Sequence, residues 1–196
     1  MFIKRSLEKN PLNNSEKKIL AGCIKGRQSA QRELFDQYSR LLLGVCNRYV
    51  QSIEEAEDIM QEGFVKIFLN IKEFKGDGPL LAWMRRIMIN TAITHYHKMR
   101  KHRYHDDLTE VSESKFEDKG WGEAEFTEEE LFMVIQQMPN GYRQVFNLYA
   151  MEGYKHREIA EILKIDENTS KSQYSRARRW LQERLKKLKE ERTKKE

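Results

Sequence analysis

The chain has 196 residues, 34% of them charged and 39% hydrophobic, with a formal net charge of +5. A mean hydropathy of -0.82, with no apolar run long enough to span a bilayer, excludes a membrane-inserted protein, and apolar residues at regular spacing exclude a wholly disordered one. The only two cysteines, Cys23 and Cys46, are too few for a disulfide framework or a cysteine zinc site; each falls at an apolar position of a helical pattern and is expected in a core.

Met1 to Leu12 hold charges but no apolar run, so no signal peptide is expected and the chain reads as cytoplasmic. A tail is expected over 1–17. Leu34, Tyr38, Leu41, Leu42, Val45 and Tyr49 recur at steps of three and four, which is one helical stripe. Ser52 with Glu55 forms a capping-box start for a second helix that turns Ala56, Met60, Phe64, Ile67 and Ile71 inward. Lys75-Gly76-Asp77-Gly78 breaks it. Pro79 suits the first turn of a third helix, with Leu80, Trp83, Met84, Ile87 and Thr91 inward. From 101 to 126 the periodicity fades into a polar, acidic stretch with Gly120 and Gly122, expected to be a flexible linker. Thr127 with Glu130 restarts helix; Leu131, Val134, Ile135 and Met138 form a short stripe that stops at Pro139-Asn140-Gly141. A helix through Val145, Phe146, Leu148 and Tyr149 follows and ends near Gly153. No window alternates apolar and polar residues, so no sheet is expected.

The last segment carries most of the functional signal. Ile159, Ala160 and Leu163 share one face of a short helix, Lys164-Ile165-Asp166-Glu167 makes a turn, and Asn168 or Thr169 can cap a longer helix with Tyr174, Ala177, Leu181, Leu185 and Leu188 inward. Ala160 is small where two helices cross, and Ile165 can plug the turn. Helix, tight turn and basic helix make a helix-turn-helix pattern. The first two turns of such a second helix reach base edges in the major groove. Here they offer Thr169, Lys171, Ser172, Gln173, Ser175 and Arg176, with Arg179 farther along and suited to phosphates. Charge distribution agrees: 85–103 holds six Lys or Arg and no acid, 171–195 is strongly basic, and 106–125 between them is acidic. Two basic blocks suggest two contacts with a polyanion.

These residues resemble a known family. Residues 153–163, Gly-Tyr-Lys-His-Arg-Glu-Ile-Ala-Glu-Ile-Leu, followed by Asn168-Thr169-Ser170-Lys171-Ser172 and Ser175-Arg176-Ala177-Arg178, resemble region four of bacterial RNA polymerase sigma factors. The family usually opens that recognition helix with Gly-Thr-Val-Lys-Ser. Ala56-Glu57-Asp58-Ile59-Met60-Gln61-Glu62-Gly63-Phe64 is similar to the family's region-two signature. Leu81-Ala82-Trp83-Met84-Arg85-Arg86-Ile87-Met88-Ile89-Asn90 resembles its Trp-Leu-x-Arg-Ile-Ala-x-Asn motif. The order and the linker match the extracytoplasmic-function group of the sigma-70 family.

The resemblance implies an all-α protein of two small helical domains joined by a flexible linker. Region two would span 18–100, the linker 101–126, region four 127–188 and a basic tail 189–196. It implies a specificity subunit with no catalytic site and no cofactor. It would bind core RNA polymerase and promoter DNA, duplex and melted, and direct initiation in response to an envelope or extracellular signal. An anti-sigma factor is a further implied partner. Thr169, Lys171, Ser172, Gln173, Ser175, Arg176 and Arg179 are then assigned to the minus-thirty-five element. Arg85, Arg86, Asn90, Thr91, His95 and Lys98 are assigned to the minus-ten element, where melted bases are captured by stacking and edge hydrogen bonds in a basic groove. Tyr96 can stack there, while Trp83 is read as core. Asp58, Gln61 and Glu62 are assigned to the coiled coil of the largest polymerase subunit, because an acidic face repels DNA and suits a basic protein partner.

His95, His97, His102 and His105 invite a metal reading, but Arg100, Lys101 and Arg103 oppose a cation and no cysteine is near, so no metal is assigned. No Gly-rich phosphate loop, nucleophile elbow or HExxH is present. The rivals are a free-standing helix-turn-helix regulator and a polymerase-binding adaptor whose basic faces do not read sequence.

Overall fold

The computed structural model describes residues 12–102 and 126–193. Residues 103–125 of the expected acidic linker, His105 among them, most of the expected N-terminal tail and residues 194–196 lie outside the described residues, while Lys101 and His102 are the end of α4. The described chain is all-α and falls into two units, divided between Lys98 and Met99.

The first unit is built from α1 (Asn14–Ile24), α2 (Gln28–Asn47), α3 (Ile53–Asn70), a 3-10 turn (Ile71–Glu73) and most of α4 (Leu80–His102). Helix α1 was not foreseen and begins inside the expected tail. Asn13 and Glu16 cap it reciprocally: Glu16 N–H donates to Asn13 Oδ1 at 2.8 Å and Asn13 N–H to Glu16 Oε2 at 2.9 Å. Its short inner face is Ile19, Gly22 and Cys23. At Gly22 a Cβ would stand 2.5 Å from Ala30 Cβ, so the missing side chain is what lets α1 approach α2. Helix α2 buries Leu34, Tyr38, Leu42 and Val45 as expected, with Cys46; Leu41 departs from the expected stripe and is 57% exposed. Burial raises the Cys46 thiol to about 12.

Helix α3 starts at Ser52, whose Oγ accepts from Glu55 N–H at 3.2 Å. The Glu55 carboxylate reaches past the cap to Gln51 N–H, so the expected box is half formed. Ala56, Met60, Phe64, Ile67 and Ile71 are all buried. Pro79 precedes α4, and its carbonyl accepts from Ala82 and Trp83 N–H. The inner face of α4 is Leu80, Met84, Met88, Ile89, Thr91, Ala92 and Ile93; Trp83 and Ile87 are only half-buried, Trp83 lying against Phe74 at 5.6 Å. Gly63 of α3 takes the Met88 side chain: a Cβ there would meet Met88 Sδ at 2.2 Å.

The second unit holds α5 (Glu128–Gln136), α6 (Asn140–Phe146), a π-helical turn (Asn147–Met151), α7 (His156–Leu163) and α8 (Glu167–Thr193). Thr127 and Glu130 form the full capping box that the sequence announced. Val134, Ile135, Met138, Tyr142 and Phe146 close on Ala177, Leu181 and Leu185 of α8. Arg143 is buried inside this unit and laces the α5–α6 turn, donating to Gln136 O at 2.6 Å and to the Asn140 side chain. The expected basic tail at 189–196 is, as far as Thr193, the last turns of α8. Arg192 there pairs with Glu130 and lies over the Phe126 ring at 5.5 Å, so the helical unit extends past the expected boundary at 188.

Candidate nucleic-acid interface

Helices α7 and α8 form the helix-turn-helix. Between them Lys164 takes a left-handed conformation (φ 55°), which lets Ile165 N–H return to Ala160 O at 3.1 Å and ends α7 sharply. Helix α8 starts at Glu167, earlier than the expected cap at Asn168 or Thr169; Ser170 N–H donates to Asp166 O.

One buried residue decides what the reading turns display. Ser170 is 0% exposed, and so is Ala177 seven residues on. At about 100° per residue, the opposite face holds residues 168, 172, 175, 176 and 179. Lys171, Ser172 and Ser175 are exposed, while Thr169, Arg176 and Arg179 are half-buried. Lys171 Nζ pairs with Glu167 Oε1 at 2.6 Å, and this contact holds the Glu167 carboxyl below its usual range. Ser172 Oγ donates to Thr169 O at 3.0 Å. Gln173 is a different case. Its amide lies 3.5 Å from where a Cβ on Gly141 would stand, so it rests on the first turn of α6 rather than on the outer face. From Glu167 to Thr193 the helix carries nine Lys or Arg against four Glu, a basic face suited to phosphates.

In the first unit Arg86, Asn90, Thr94 and Lys98 recur every four residues along the exposed side of α4, with Arg85 and His95 half-buried beside them. Thr94 was absent from the assignment from sequence; its place in the i, i+4 row was the available signal. Thr91 is a correction. It is 1% exposed, donates to Ile87 O at 2.8 Å and accepts from Lys66 Nζ at 3.2 Å, so it belongs to the α3–α4 seam and not to a DNA-facing surface. Its alternative place on the apolar stripe is the one the fold adopts. Tyr96 rests near His97, ring centroids 5.7 Å apart.

On α3, Glu54, Glu57, Asp58, Gln61 and Glu62 are exposed. Glu62 is not a free acid: Lys66 Nζ lies at 2.7 Å and, with Lys98 and His95 nearby, holds its carboxyl below the usual range. The sequence grouped Glu62 with Asp58 and Gln61; the structure places it on the side of α3 that looks toward the α4 cations. Among the described residues no cluster of His, Cys, Asp or Glu is arranged to hold a metal ion, and no helix is long and apolar enough to cross a membrane.

Comparison with known proteins assigns both units. The sigma-70 region 2 family model matches residues 34–102, and the sigma-70 region 4 model matches residues 128–181. The RNA polymerase sigma-H factor of Pseudomonas aeruginosa is 29% identical over 165 residues, which covers 77% of this chain and 86% of that protein. The ECF RNA polymerase sigma-E factor of Haemophilus influenzae is 26% identical over 173 residues (83% and 91%), and that of Escherichia coli K12 is 29% identical over 164 (79% and 85%). A solved structure of CnrH in complex with the cytosolic domain of CnrY is 20% identical, covers 88% of this chain and 98% of that one, and has a TM-score of 0.47. With one family region on each helical unit, in the family's order, the chain belongs to the sigma-70 family in its extracytoplasmic-function group, the non-catalytic specificity subunits of RNA polymerase that direct promoter-specific transcription initiation.

Proposed function

We propose that the second unit reads the minus-thirty-five element through Thr169, Lys171, Ser172, Ser175 and Arg176, with Arg179 on the phosphate backbone. The observation that carries this is the burial of Ser170 and Ala177, which leaves Ser172, Ser175, Arg176 and Arg179 on the outer face of α8 with Thr169 and Lys171 on its flanks. Gln173 joins them only by leaving its seat on Gly141. The first unit takes the melted minus-ten strand along Arg85, Arg86, Asn90, His95 and Lys98, with Thr94 in the same row. Supporting that reading is an exposed, acid-free stripe on one rigid helix, since single-stranded DNA is held by cationic grooves with polar groups for base edges.

Asp58, Gln61 and Glu62 face core RNA polymerase, at the coiled coil of its largest subunit. An acidic exposed face on a basic protein supports a protein partner rather than DNA at that site. An anti-sigma factor is the second proposed partner. Its support is exposed apolar side chains on both units, Val65 at 57% and Leu69 at 75% on α3 and Met133 at 59% on α5, each of which a protein surface would desolvate. The setting proposed for all of these contacts is the cytoplasm, where polymerase and promoters are.

The test is reconstitution. The full chain is mixed with core polymerase from the same organism and a genomic promoter library, and the initiated transcripts are sequenced. Start sites that share two upstream motifs are expected. Core binding without shared motifs would favour the adaptor reading, and duplex binding without polymerase would favour a free-standing regulator.

A further inference from the structure

The reading turns of α8 have an unusual anchor. Among residues 167–176, Ser170 is the one that is buried; the aliphatic seal of α8 against its unit begins only at Ala177 and continues through Leu181 and Leu185. The first turn of the segment that faces DNA is therefore held by a hydroxyl, and apolar packing joins it one turn later, where Tyr174 lies against Phe146 and the core. That hydroxyl meets the Nδ1 of His156, the first residue of α7, at 2.9 Å. The imidazole is fixed from its other side as well. It stacks on Tyr149 of the π-helical turn, with centroids 4.4 Å apart and planes 15° from parallel. Tyr149 in turn touches Tyr174, one turn beyond Ser170 on α8, at 4.4 Å. Three elements meet at one imidazole.

We propose that His156 is a positioning residue for promoter recognition: by anchoring Ser170 it sets the rotation of the first turns of α8 about the helix axis, and so the direction of Lys171, Ser172, Ser175 and Arg176. This rests on the reading of α8 as the minus-thirty-five reader. A buried hydroxyl that loses its partner seeks another, and the nearest route is rotation of the helix start toward water. At about 100° per residue, a modest rotation moves every outer side chain relative to the groove. The ring is neutral in this role. Burial and the Lys171 ammonium hold its pKa below the usual imidazole range, opposed by Glu167, and a neutral ring supplies one donor and one acceptor nitrogen to a hydroxyl that can be either.

The test uses holoenzyme reconstituted from the full chain and two versions of one promoter, intact and with the upstream element scrambled. His156→Phe keeps a ring to stack on Tyr149 and removes the nitrogen. His156→Asn places an amide near the Nδ1 position. The net worth of one hydrogen bond corresponds to about three- to tenfold in an equilibrium. H156F is therefore expected to lower initiation on the intact promoter by that factor and leave the scrambled promoter unchanged. H156N should recover most of the loss, and Ser170→Ala added to H156F should restore initiation, because both polar partners are then gone. Nitrogen-15 spectra of the wild-type chain should show one fixed His156 tautomer that S170A releases, a readout that needs no polymerase and serves if H156F does not fold. Equal loss on both promoters, no difference between H156F and H156N, or a tautomer unmoved by S170A would overturn the proposal. A wild-type holoenzyme indifferent to the upstream element would instead overturn the reading of α8 itself, with the tautomer result still standing on its own.

Discussion

The seam between α3 and α4 is set by one missing side chain, and Gly63→Ala probes it. A Cβ on Gly63 would stand 2.2 Å from Met88 Sδ and 2.9 Å from Met88 Cε, in a site where Met88 is fully buried. Overpacking of this kind costs about 1–3 kcal/mol, while replacing a mid-helix Gly by Ala returns about 1 kcal/mol of propensity. The net expected for G63A is a destabilisation of about 0–2 kcal/mol. Met88→Ala alone should cost about 2–5 kcal/mol through the cavity it leaves. In the M88A background the clash is gone, so G63A should become stabilising by about 1 kcal/mol. Trp83 reports this unit by fluorescence in a Trp121→Phe, Trp180→Phe background, since the chain has three tryptophans. Urea titration of the four variants gives the cycle. If G63A has the same effect with and without Met88, a coupling under about 0.5 kcal/mol, the reasoning about this close approach is wrong.

Lys164 holds a left-handed backbone at φ 55°, so Lys164→Gly should raise the unfolding free energy of the second unit by about 0.5–1 kcal/mol, measured by Trp180 fluorescence in a Trp83→Phe, Trp121→Phe background. His156 has a folded pKa below its usual value. The unfolded chain therefore takes up its proton first as pH falls, and stability should be full above pH about 6.5 and decline below it. His156→Asn should flatten that decline between pH 7 and 5 in denaturant titrations. Asp58→Lys should weaken binding to core polymerase by about tenfold in a fluorescence titration, with a smaller effect at high salt; unchanged affinity would remove Asp58 from the polymerase face.

Helical stripes were legible because the core is built on them: Ala56, Met60, Phe64, Ile67 and Ile71 are all buried, as are Val134, Ile135 and Met138. The capping boxes were legible in the same way at Thr127 and in half at Ser52. Helix α1 was not. Its inner face is Ile19, a glycine and a cysteine, and the pattern is too thin to mark a helix before the Gly22–Ala30 contact is known. The site was legible as far as the motifs reach and less so at the level of side-chain direction. Thr91 and Asn90 are adjacent in sequence and both polar, yet one is sealed against Lys66 and the other faces water. Gln173 is an adenine reader by type, but its direction depends on a neighbour 32 positions earlier, Gly141. Arg143 is the extreme case: a charged residue in a charged sequence gives no sign of being buried, because the carbonyls that receive it belong to a turn that exists only in the fold.

Glu62 is where the two proposed surfaces of the first unit meet. Its carboxylate holds Lys66, and Lys66 holds the buried hydroxyl of Thr91. Lys98 and His95 of α4 also act on it. A basic group of polymerase that draws Glu62 away competes with Lys66 and leaves Lys66, His95 and Lys98 less neutralised, next to the row proposed for the melted strand. Docking on the α3 side would then strengthen the cationic character of the α4 side through neighbouring charges alone, with no movement of either helix. Asp58 has no such link, so the two acids, one turn apart on the same helix, separate the effects. Asp58→Lys should change polymerase affinity only. Glu62→Gln should weaken polymerase binding and, in the free chain, raise affinity for a minus-ten single strand, because the standing counter-charge is removed. Single-strand affinity unchanged in Glu62→Gln would show that Glu62 serves the polymerase face alone and that the two surfaces act independently.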